Sequence, residues 1–186
     1  MATPGKILVI RNGGSIYGTA ARESDAQTIE DLIITDGQNE WNYLPEAEIL
    51  RKYLASIANG SVFGIKALAK PIQSVVGAVT YDIGHRYPQY QPLGREDAVH
   101  GYLSEAVVRP DYAGHGLGTA LLSAAITDLG EMGIQEVYAM RHADNDPSRR
   151  MMEKSGMVLV DEFPDPEIRP TGSGRTAVMC FLVENQ

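Results

Sequence analysis

The 186-residue sequence predicts an α/β fold that forms one domain over residues 1–186. Short apolar runs rich in β-branched residues alternate with longer stretches whose apolar residues recur at helical spacing. Near the middle of the chain, a glycine-rich segment joins the end of one strand to the start of a helix. With 44% hydrophobic residues and no internal repeat, the chain can bury a single core. The predicted order of elements is ββααβββαβαββ.

The first half of the chain is predicted to contain five strands and two helices. Asn12-Gly13-Gly14 is a hairpin signal between the first two strands. Ser24 is a suitable N-cap for the first helix, and Pro45 is typical of the start of the second helix. The strands are Lys6 to Arg11, Ser15 to Ala20, Val62 to Ala69, Ser74 to Tyr81 and His100 to Val108.

The second half of the chain is predicted to add two helices and three strands. After the glycine-rich segment, the apolar spacing predicts a helix that begins near Leu117 and ends at Gly133. It is followed by a strand from Ile134 to Met140, a helix from Pro147 to Lys154, and strands from Met157 to Phe163 and from Thr176 to Val183.

The glycine-rich segment contains Gly114, Gly116 and Gly118 in alternation. Glycines let the backbone turn without a Cβ clash, and they leave N–H groups facing outward at the positive end of the helix. This arrangement suits a pyrophosphate, and a flexible surface turn is the alternative. The phosphate loop of the NTPases is excluded, because no Lys followed by Ser or Thr comes after the last glycine. The dinucleotide fingerprint is disfavoured, because the spacing is G-x-G-x-G rather than G-x-G-x-x-G.

Two blocks of the sequence resemble motifs of the GNAT superfamily of acetyltransferases. The residues from Val108 to Leu122 are similar to its coenzyme A loop, V-x-P-x-Y-R-G-x-G-(I/L)-G-x-x-L-L, except that Ala113 replaces the usual Arg or Gln. The residues from Asn145 to Met157 are similar to N-x-x-A-x-x-L-Y-x-x-x-G-F. Here the common Ala, Tyr and Phe are replaced by Ser148, Met152 and Met157.

The resemblance implies a GNAT-type mixed, mostly antiparallel central sheet of about seven strands flanked by about four helices. It also implies an N-acetyltransferase that transfers acetyl from acetyl-CoA directly to a primary amine of a small molecule or peptide, without a metal. Asn145 is expected to contact the pantetheine arm, with a helix cap as its alternative role, and Arg149 or Lys154 is expected near a phosphate. The cofactor-binding residues implied are Ala106, Val107, Val108, Ala113, Gly114, His115, Gly116, Leu117, Gly118, Thr119, Asn145, Ser148 and Arg149.

The resemblance places the catalytic residues on the strand before the glycine-rich segment, with Tyr102 or Ser104 as the general base. These two share one face by strand alternation, and neither is a strong base at neutral pH. A chain of water molecules through Ser104 is therefore one route for the proton. Glu105 is the nearest carboxylate, but alternation puts it on the opposite face unless a bulge rotates it. At the family's usual proton-donating Tyr stands Met152, whose thioether cannot donate a proton.

Met152 keeps two other interpretations open. One is a CoA-binding protein that senses acetyl-CoA without turning it over, and the other is a transferase that uses a different acyl-CoA. Two loops are candidates to contact the acceptor. The first is Asp82 to Asp97, with a packed surface loop as its alternative role, and the second is Pro164 to Arg175, with a plain exposed turn as its alternative.

The charge and the apolar runs of the sequence restrict the kinds of partner that the protein is expected to bind. A formal net charge of −8 disfavours nucleic acid and is compatible with a cationic amine. No run approaches the roughly 18 apolar residues of a membrane span, so we expect no membrane partner and a cytoplasmic location. The single cysteine, Cys180, cannot form an internal disulfide, and its apolar neighbours predict a buried strand residue. The oligomeric state, monomer or homodimer, stays open.

Overall fold

The computed structural model describes residues 6–11, 14–71 and 73–183, with side chains from residue 15 onward. The strands in these residues are β1 (Lys6–Arg11), β2 (Gly14–Ala20), β3 (Val62–Ala69), β4 (Ser74–Gly84), β5 (His100–Val108), β6 (Glu136–His142), β7 (Val158–Pro164) and β8 (Arg175–Leu182). The helices are α1 (Ala26–Asp36), α2 (Ala47–Ala55), α3 (Leu117–Glu131) and α4 (Asp146–Lys154), and short 3₁₀ turns cover Glu23–Asp25, Pro88–Tyr90 and Pro110–Tyr112.

The strands form one sheet of eight, in the order β1-β2-β3-β4-β5-β6-β8-β7. All neighbouring strands are antiparallel except β5 and β6, which confirms the predicted mixed and mostly antiparallel sheet. The parallel pairing is short and ends where Leu103 lies opposite Ala139. Because β5 and β6 both continue beyond this point without pairing to each other, the middle of the sheet opens there.

The helices cover the two faces of the sheet. On one face, α1 and α2 bury Ile29, Ile33, Leu50 and Leu54 in a cluster with Ala78 of β4 and Val107 of β5. On the other face, α3 and α4 bury a larger cluster that includes Leu121, Leu122, Leu129 and Met152. Apolar side chains at helical spacing therefore pack α3 mainly against β4 and β5, with β3 beside them.

The element bounds differ from the predicted ones mainly at the start of α1. The helix begins at Ala26, after a 3₁₀ turn that contains Ser24, and the Asp25 carboxylate accepts the Arg22 backbone N–H at 2.8 Å. Ser24 is therefore not the N-cap. The hairpin residues Asn12 and Gly13 lie outside the described residues, although the flanking strands do pair from Arg11 to Gly14. Cys180 is buried on β8, as predicted.

Among the described helices, none combines the length and the apolar character needed to cross a lipid bilayer.

Candidate active site

The glycine-rich segment forms the turn that leads into α3. Gly114 and Gly116 have φ angles of 75° and 82°, in the left-handed region that residues with a Cβ rarely adopt. A Cβ at either position would meet no atom within 4 Å, so the turn faces open space. Gly116 is the N-cap of α3 and no side chain caps the helix, which leaves the first N–H groups of α3 available to an anion.

Gly118 has a different role from the two turn glycines. A Cβ there would lie 2.5 Å from the Met151 sulfur of α4. The absence of a side chain at Gly118 therefore lets α3 and α4 approach closely, and this approach sets the width of the space between the turn and α4.

A cavity of about 550 Å³, here called the loop cavity, lies beside this turn. It is bounded by the end of β5, the start of α3, one face of α4 and the segment after α1. The expected cofactor-binding residues that line it are Ala106, Val107, Val108, Ala113, Gly114, Gly116, Leu117, Gly118, Thr119, Asn145 and Ser148. The structure thus brings together residues from the two sequence blocks, which are separated along the chain by α3 and β6.

His115 and Arg149 do not line the loop cavity. The His115 ring folds back to within 2.6 Å of the Ala113 carbonyl oxygen and is exposed. Arg149 forms ion pairs with Asp146 at 3.0 Å and Glu153 at 3.2 Å on the outer side of α4. In this structure the side chains of these two expected cofactor-binding residues are therefore bonded outside the loop cavity.

The cations that do line the loop cavity are Arg150 and Lys154 of α4. They lie four residues apart and therefore share a helix face with Pro147 and Met151, whereas Arg149 is rotated off this face. Lys154, one of the two cations expected near a phosphate, thus lines this cavity, and Arg150 does so without having been named from the sequence. Helical spacing from Lys154 was the signal that could have identified it.

Asn145 is the N-cap of α4. Its side-chain oxygen accepts the Ser148 backbone N–H at 3.0 Å, and its amide donates weakly to Asn42 at 3.4 Å. The capping role, left open by the sequence, is therefore present, while the amide group still borders the loop cavity. Ser148 and Asn42 border this cavity and also the neighbouring one described next.

A second cavity of about 310 Å³, the strand cavity, occupies the opening between β5 and β6. A recess of about 220 Å³ under α2 adjoins it through Pro45, Tyr102, Ser104 and Glu105. Beyond Leu103, the edge of β5 that faces this opening pairs with no other described strand. Its backbone N–H and C=O groups are therefore accessible to an extended ligand that adds alongside, as a strand would.

A β-bulge turns Glu105 into the strand cavity. On β4, Thr80 lies opposite Glu105 while Tyr81 lies opposite Leu103, so Ser104 is an extra residue in β5. Residues after the bulge therefore face the opposite side of the sheet from the one that alternation predicts. Leu103 packs with α3, whereas Val107, four residues later in the same strand, packs with α1 and α2. Simple alternation therefore fails for Glu105, and the exception left open by the sequence holds: the bulge at Ser104 turns Glu105 to the side of Tyr102.

The Glu105 carboxylate is half-buried and has no hydrogen bond or ion pair with any described side chain. Burial raises its pKa to about 7, against a weaker opposing effect of the Arg169 charge. A carboxyl group with this pKa exchanges its proton near neutral pH, which is what a general base requires. Neither Tyr102 nor Ser104 has this property, because burial raises the Tyr102 pKa further from neutrality.

Ser104 and Tyr102 belong to a polar network at the recess. The Ser104 hydroxyl donates to Asp82 at 3.2 Å, and Arg86 binds the same carboxylate with two hydrogen bonds of 2.9 and 3.0 Å. The Arg86 guanidinium also lies 4.5 Å above the Tyr102 ring. The buried Tyr53 hydroxyl adjoins Ser104, and no hydrogen bond of normal geometry satisfies it within the described chain.

The two candidate acceptor loops have different positions. In the segment Asp82 to Asp97, Tyr87 and Tyr90 pack on Tyr138, and Arg95 forms a bidentate ion pair with Glu136 at 2.7 and 2.9 Å. This segment is thus a packed surface loop, from which Arg86 reaches the recess. The β7–β8 loop, the second candidate, contributes Ile168 and Arg169 to the strand cavity.

Met152 is buried at the wall of the strand cavity. Its thioether lies where the resemblance implies a proton donor, so the chain supplies none at this position. Arg169 lines the strand cavity and Tyr53 lines its recess, whereas Asp82 is connected to the site through Ser104. The sequence did not single out any of these three side chains, although Asp82 and Arg169 lie in the two candidate loops.

Comparison with known proteins identifies the class of this fold and site. A family model described as the acetyltransferase (GNAT) family matches residues 26–157. The match spans more than half of the chain and includes both sequence blocks, and it defines an acyltransferase. The chain therefore belongs to the GNAT acetyltransferase family. No curated protein matches the sequence significantly.

Solved structures share the fold at low sequence identity. Arabidopsis thaliana NAA60 in complex with acetyl-CoA superimposes with a TM-score of 0.70 and 15% identity over 90% of this chain and 98% of that chain. Mosquito arylalkylamine N-acetyltransferase like 5b gives 0.68 and 13% over 91% and 100%. The NatC complex bound to Gag peptide and CoA gives 0.68 and 15% over 91% and 99%. At these identities the similarity concerns the fold.

Proposed function

We propose that this protein is an N-acetyltransferase that transfers acetyl from acetyl-CoA directly to a primary amine, with Glu105 as the general base. The observation that carries the proposal is the bulge at Ser104, which directs a carboxyl group of pKa about 7 into a cavity next to the glycine turn. Solved structures of the same fold include an arylalkylamine N-acetyltransferase like protein and a complex with a bound peptide.

The residues of the loop cavity fit coenzyme A. The uncapped N–H groups at the start of α3 suit a pyrophosphate, and the open space above Gly114 and Gly116 admits it closely. Arg150 and Lys154 add positive charge for further phosphate oxygens. The unpaired edge of β5 suits the amide groups of the pantetheine arm, and it leads from the loop cavity to the strand cavity. When bound, acetyl-CoA supplies the acetyl thioester.

In the reaction that we propose, the Glu105 carboxylate takes one proton from the substrate ammonium group. The neutral amine nitrogen then forms a bond to the thioester carbonyl carbon as the carbon–sulfur bond breaks. A backbone N–H on the open edge of β5 stabilises the carbonyl oxygen during this step, an interaction worth about 3 to 4 kcal/mol in comparable sites. Glu105 afterwards releases its proton to solvent, which is favourable above pH 7.

The second proton of the amine neutralises the departing thiolate. Met152 cannot assist this step, so the proton passes directly or through water. Thiols have an unperturbed pKa near 8.5, so the thiolate is a fair leaving group without a strong acid. The reaction therefore needs no tyrosine at this position, although we expect it to be slower than with one.

Met152 also favours a second candidate function, a sensor that binds acetyl-CoA without turning it over. The deciding experiment measures thiol release from acetyl-CoA at pH 8, with and without amines. The panel comprises polyamines, aminoglycosides, amino acids and N-terminal peptides, and calorimetry measures acetyl-CoA binding in parallel. We expect an amine-dependent rate. Binding of acetyl-CoA with no amine-dependent release across the panel would instead establish the sensor.

A further inference from the structure

Two arginines line the strand cavity, Arg141 and Arg169, and neither forms an ion pair within the described residues, although the Asp165 charge acts on Arg169. Arg169 is half-buried on the β7–β8 loop, and no carboxylate of the described residues lies within 4.0 Å of it. Its Nε donates to the Thr176 hydroxyl at 3.2 Å, and this hydroxyl donates to Asp165 at 2.7 Å. The side chain is therefore held by one nitrogen, while its two terminal nitrogens have no hydrogen-bond partner in the described chain.

The other arginines that border the strand cavity or its recess have at least one terminal nitrogen hydrogen-bonded. Arg86 is bound to Asp82 by two hydrogen bonds. Arg141 has a buried Nε without a hydrogen bond, but its Nη1 donates to the backbone carbonyls of His142 and Ala143 at 2.9 and 2.5 Å. Arg169 differs from both, because neither of its terminal nitrogens is hydrogen-bonded within the described residues.

Glu105 is the corresponding carboxylate without a partner, and it borders the same cavity. The two side chains influence each other electrostatically, yet they are too far apart to form an ion pair. Buried charges without partners are costly, and a ligand that carries both complementary charges would compensate both. A ligand with an ammonium group alone would leave the terminal nitrogens of Arg169 without an acceptor.

We propose that the strand cavity accepts an amine that also carries a carboxylate, an apolar α-amino acid, with Glu105 facing its ammonium group and Arg169 binding its carboxylate. This inference rests on the proposed function and specifies its acceptor. Arginine binds carboxylates in a planar, two-point geometry, which would also orient the amine. Positioning of this kind contributes directly to the rate of transfer.

The volume and the lining residues of the strand cavity indicate the size and polarity of the ligand's side chain. Its volume of about 310 Å³ lies at the lower end of small-molecule sites and suits a single amino acid better than a long chain. Tyr43, Ile49 and Ile168 lie exposed around the strand cavity and its recess, so an apolar side chain is accommodated at the entrance. Leucine is accordingly the first probe.

The test compares leucine with leucinamide and isopentylamine, which keep the apolar group and the amine but lack the carboxylate. In thiol-release assays, we expect kcat/KM to be at least about tenfold higher for leucine. Leucyl-glycine amide is included as a peptide with a free N-terminus. Equal turnover of leucine and any of these three amines would overturn the inference, and the peptide result would then favour N-terminal peptides as acceptors.

Variants of Arg169 separate ligand binding from a structural role. We expect Arg169→Gln to raise KM for leucine at least about tenfold and to change KM for leucinamide far less, and Arg169→Lys to recover part of the loss. Arg175→Gln is the matched control, because Arg175 pairs with Glu162 at 2.7 Å outside both cavities. An equal loss for leucine and leucinamide in Arg169→Gln would mean that Arg169 only supports the fold.

A calorimetric titration of leucine into the protein saturated with CoA tests the inference without turnover. We expect leucine binding that Arg169→Gln weakens and Arg175→Gln leaves unchanged. If no amine causes thiol release, the proposed function is wrong. The proposed amino-acid site is tested separately, by this titration alone. Absence of leucine binding, or binding that does not depend on Arg169, would overturn the inference.

Discussion

At the level of single residues, the environment of Glu105 is determined by one extra residue in β5. The bulge at Ser104 brings the carboxylate into the strand cavity, and burial raises its pKa to about 7. The unfolded chain holds the same proton only to a pH of about 4.3. The folded protein therefore binds this proton more tightly, so the contribution of Glu105 to stability is full below about pH 4.3 and is lost as the pH rises through 7.

Replacement of this carboxyl group is expected to separate catalysis from stability. Glu105→Gln should lower kcat by about 10² to 10⁴ and abolish the rise of kcat with pH around 7, because the amide cannot accept the proton. The thermal unfolding midpoint at pH 8 should increase, since the buried charge is removed. Both quantities are measured across pH 5.5 to 9 with an alkylamine whose own pKa lies near 10.

The control for this variant is Glu167→Gln, which alters an exposed carboxylate on the β7–β8 loop. We expect unchanged rates and an unchanged pH profile. Full activity of Glu105→Gln, with the rise near pH 7 retained, would instead favour a water chain through Ser104 as the path of the proton.

At the level of elements, glycine is required in the turn before α3 for two separate structural reasons. Gly114 and Gly116 are needed for their left-handed backbone and for the open space above them, whereas Gly118 is needed for the contact of α3 with α4. The same α4 presents Arg150 and Lys154 toward the turn and keeps Arg149 paired on its outer side. The site for an anion thus depends on how two helices pack as well as on the turn.

A branched side chain at Gly116 is expected to obstruct the anion site. Gly116→Val should weaken acetyl-CoA binding at least about tenfold, or about 1.4 kcal/mol, because the added atoms occupy the space above the turn. Isothermal titration calorimetry measures this change directly. An unchanged affinity would show that the loop cavity does not hold the pyrophosphate.

Gly94→Val is the matched control for backbone strain in this experiment. Gly94 has a φ of 83° and no atom within 4 Å of an added Cβ, as at Gly116, but it lies in the surface loop before β5. Both variants should lose similar stability from the strained backbone. We expect only Gly116→Val to lose affinity for acetyl-CoA.

At the level of the whole molecule, three connecting segments meet beside the two cavities: the segment between α1 and α2, the end of β6, and the β7–β8 loop. The Trp41 ring, from the segment between α1 and α2, lies 4.9 Å from the ring of His142 at the end of β6. His142 is bonded to the Thr171 carbonyl of the β7–β8 loop at 2.9 Å, and the Thr171 hydroxyl donates to the Glu40 carbonyl at 2.8 Å. A Cβ on Gly172 would lie 2.7 Å from the Trp41 ring, so this junction is closely packed.

Disruption of this junction is expected to affect both substrates, because Asn42, next to Trp41, borders both cavities. Trp41→Ala should raise KM for acetyl-CoA and for the acceptor about threefold or more, and should lower the free energy of unfolding by about 2 kcal/mol. Trp41→Phe keeps an aromatic ring and should be nearly neutral. If stability falls while both KM values stay unchanged, the junction does not position the cavities.

Local chemistry explains what could be predicted from the sequence. The order of strands and helices follows from apolar periodicity, which depends only on near neighbours along the chain. The glycine turn was recognisable because positive φ angles and an uncapped helix start restrict residue types at consecutive positions. The helix cap could be named as an alternative role of Asn145 for the same reason, since its partner Ser148 is three residues away.

The direction of individual side chains was decided only by the tertiary structure. The bulge at Ser104 is a property of the pairing between β4 and β5, and alternation within β5 alone gave the wrong face for Glu105. Arg169 reaches the strand cavity because the β7–β8 loop folds toward β5, a contact that no local pattern encodes. The sequence by itself therefore determined the elements and the glycine turn before α3. The tertiary structure decided which charges share a cavity, because that depends on register and packing between segments far apart in the chain.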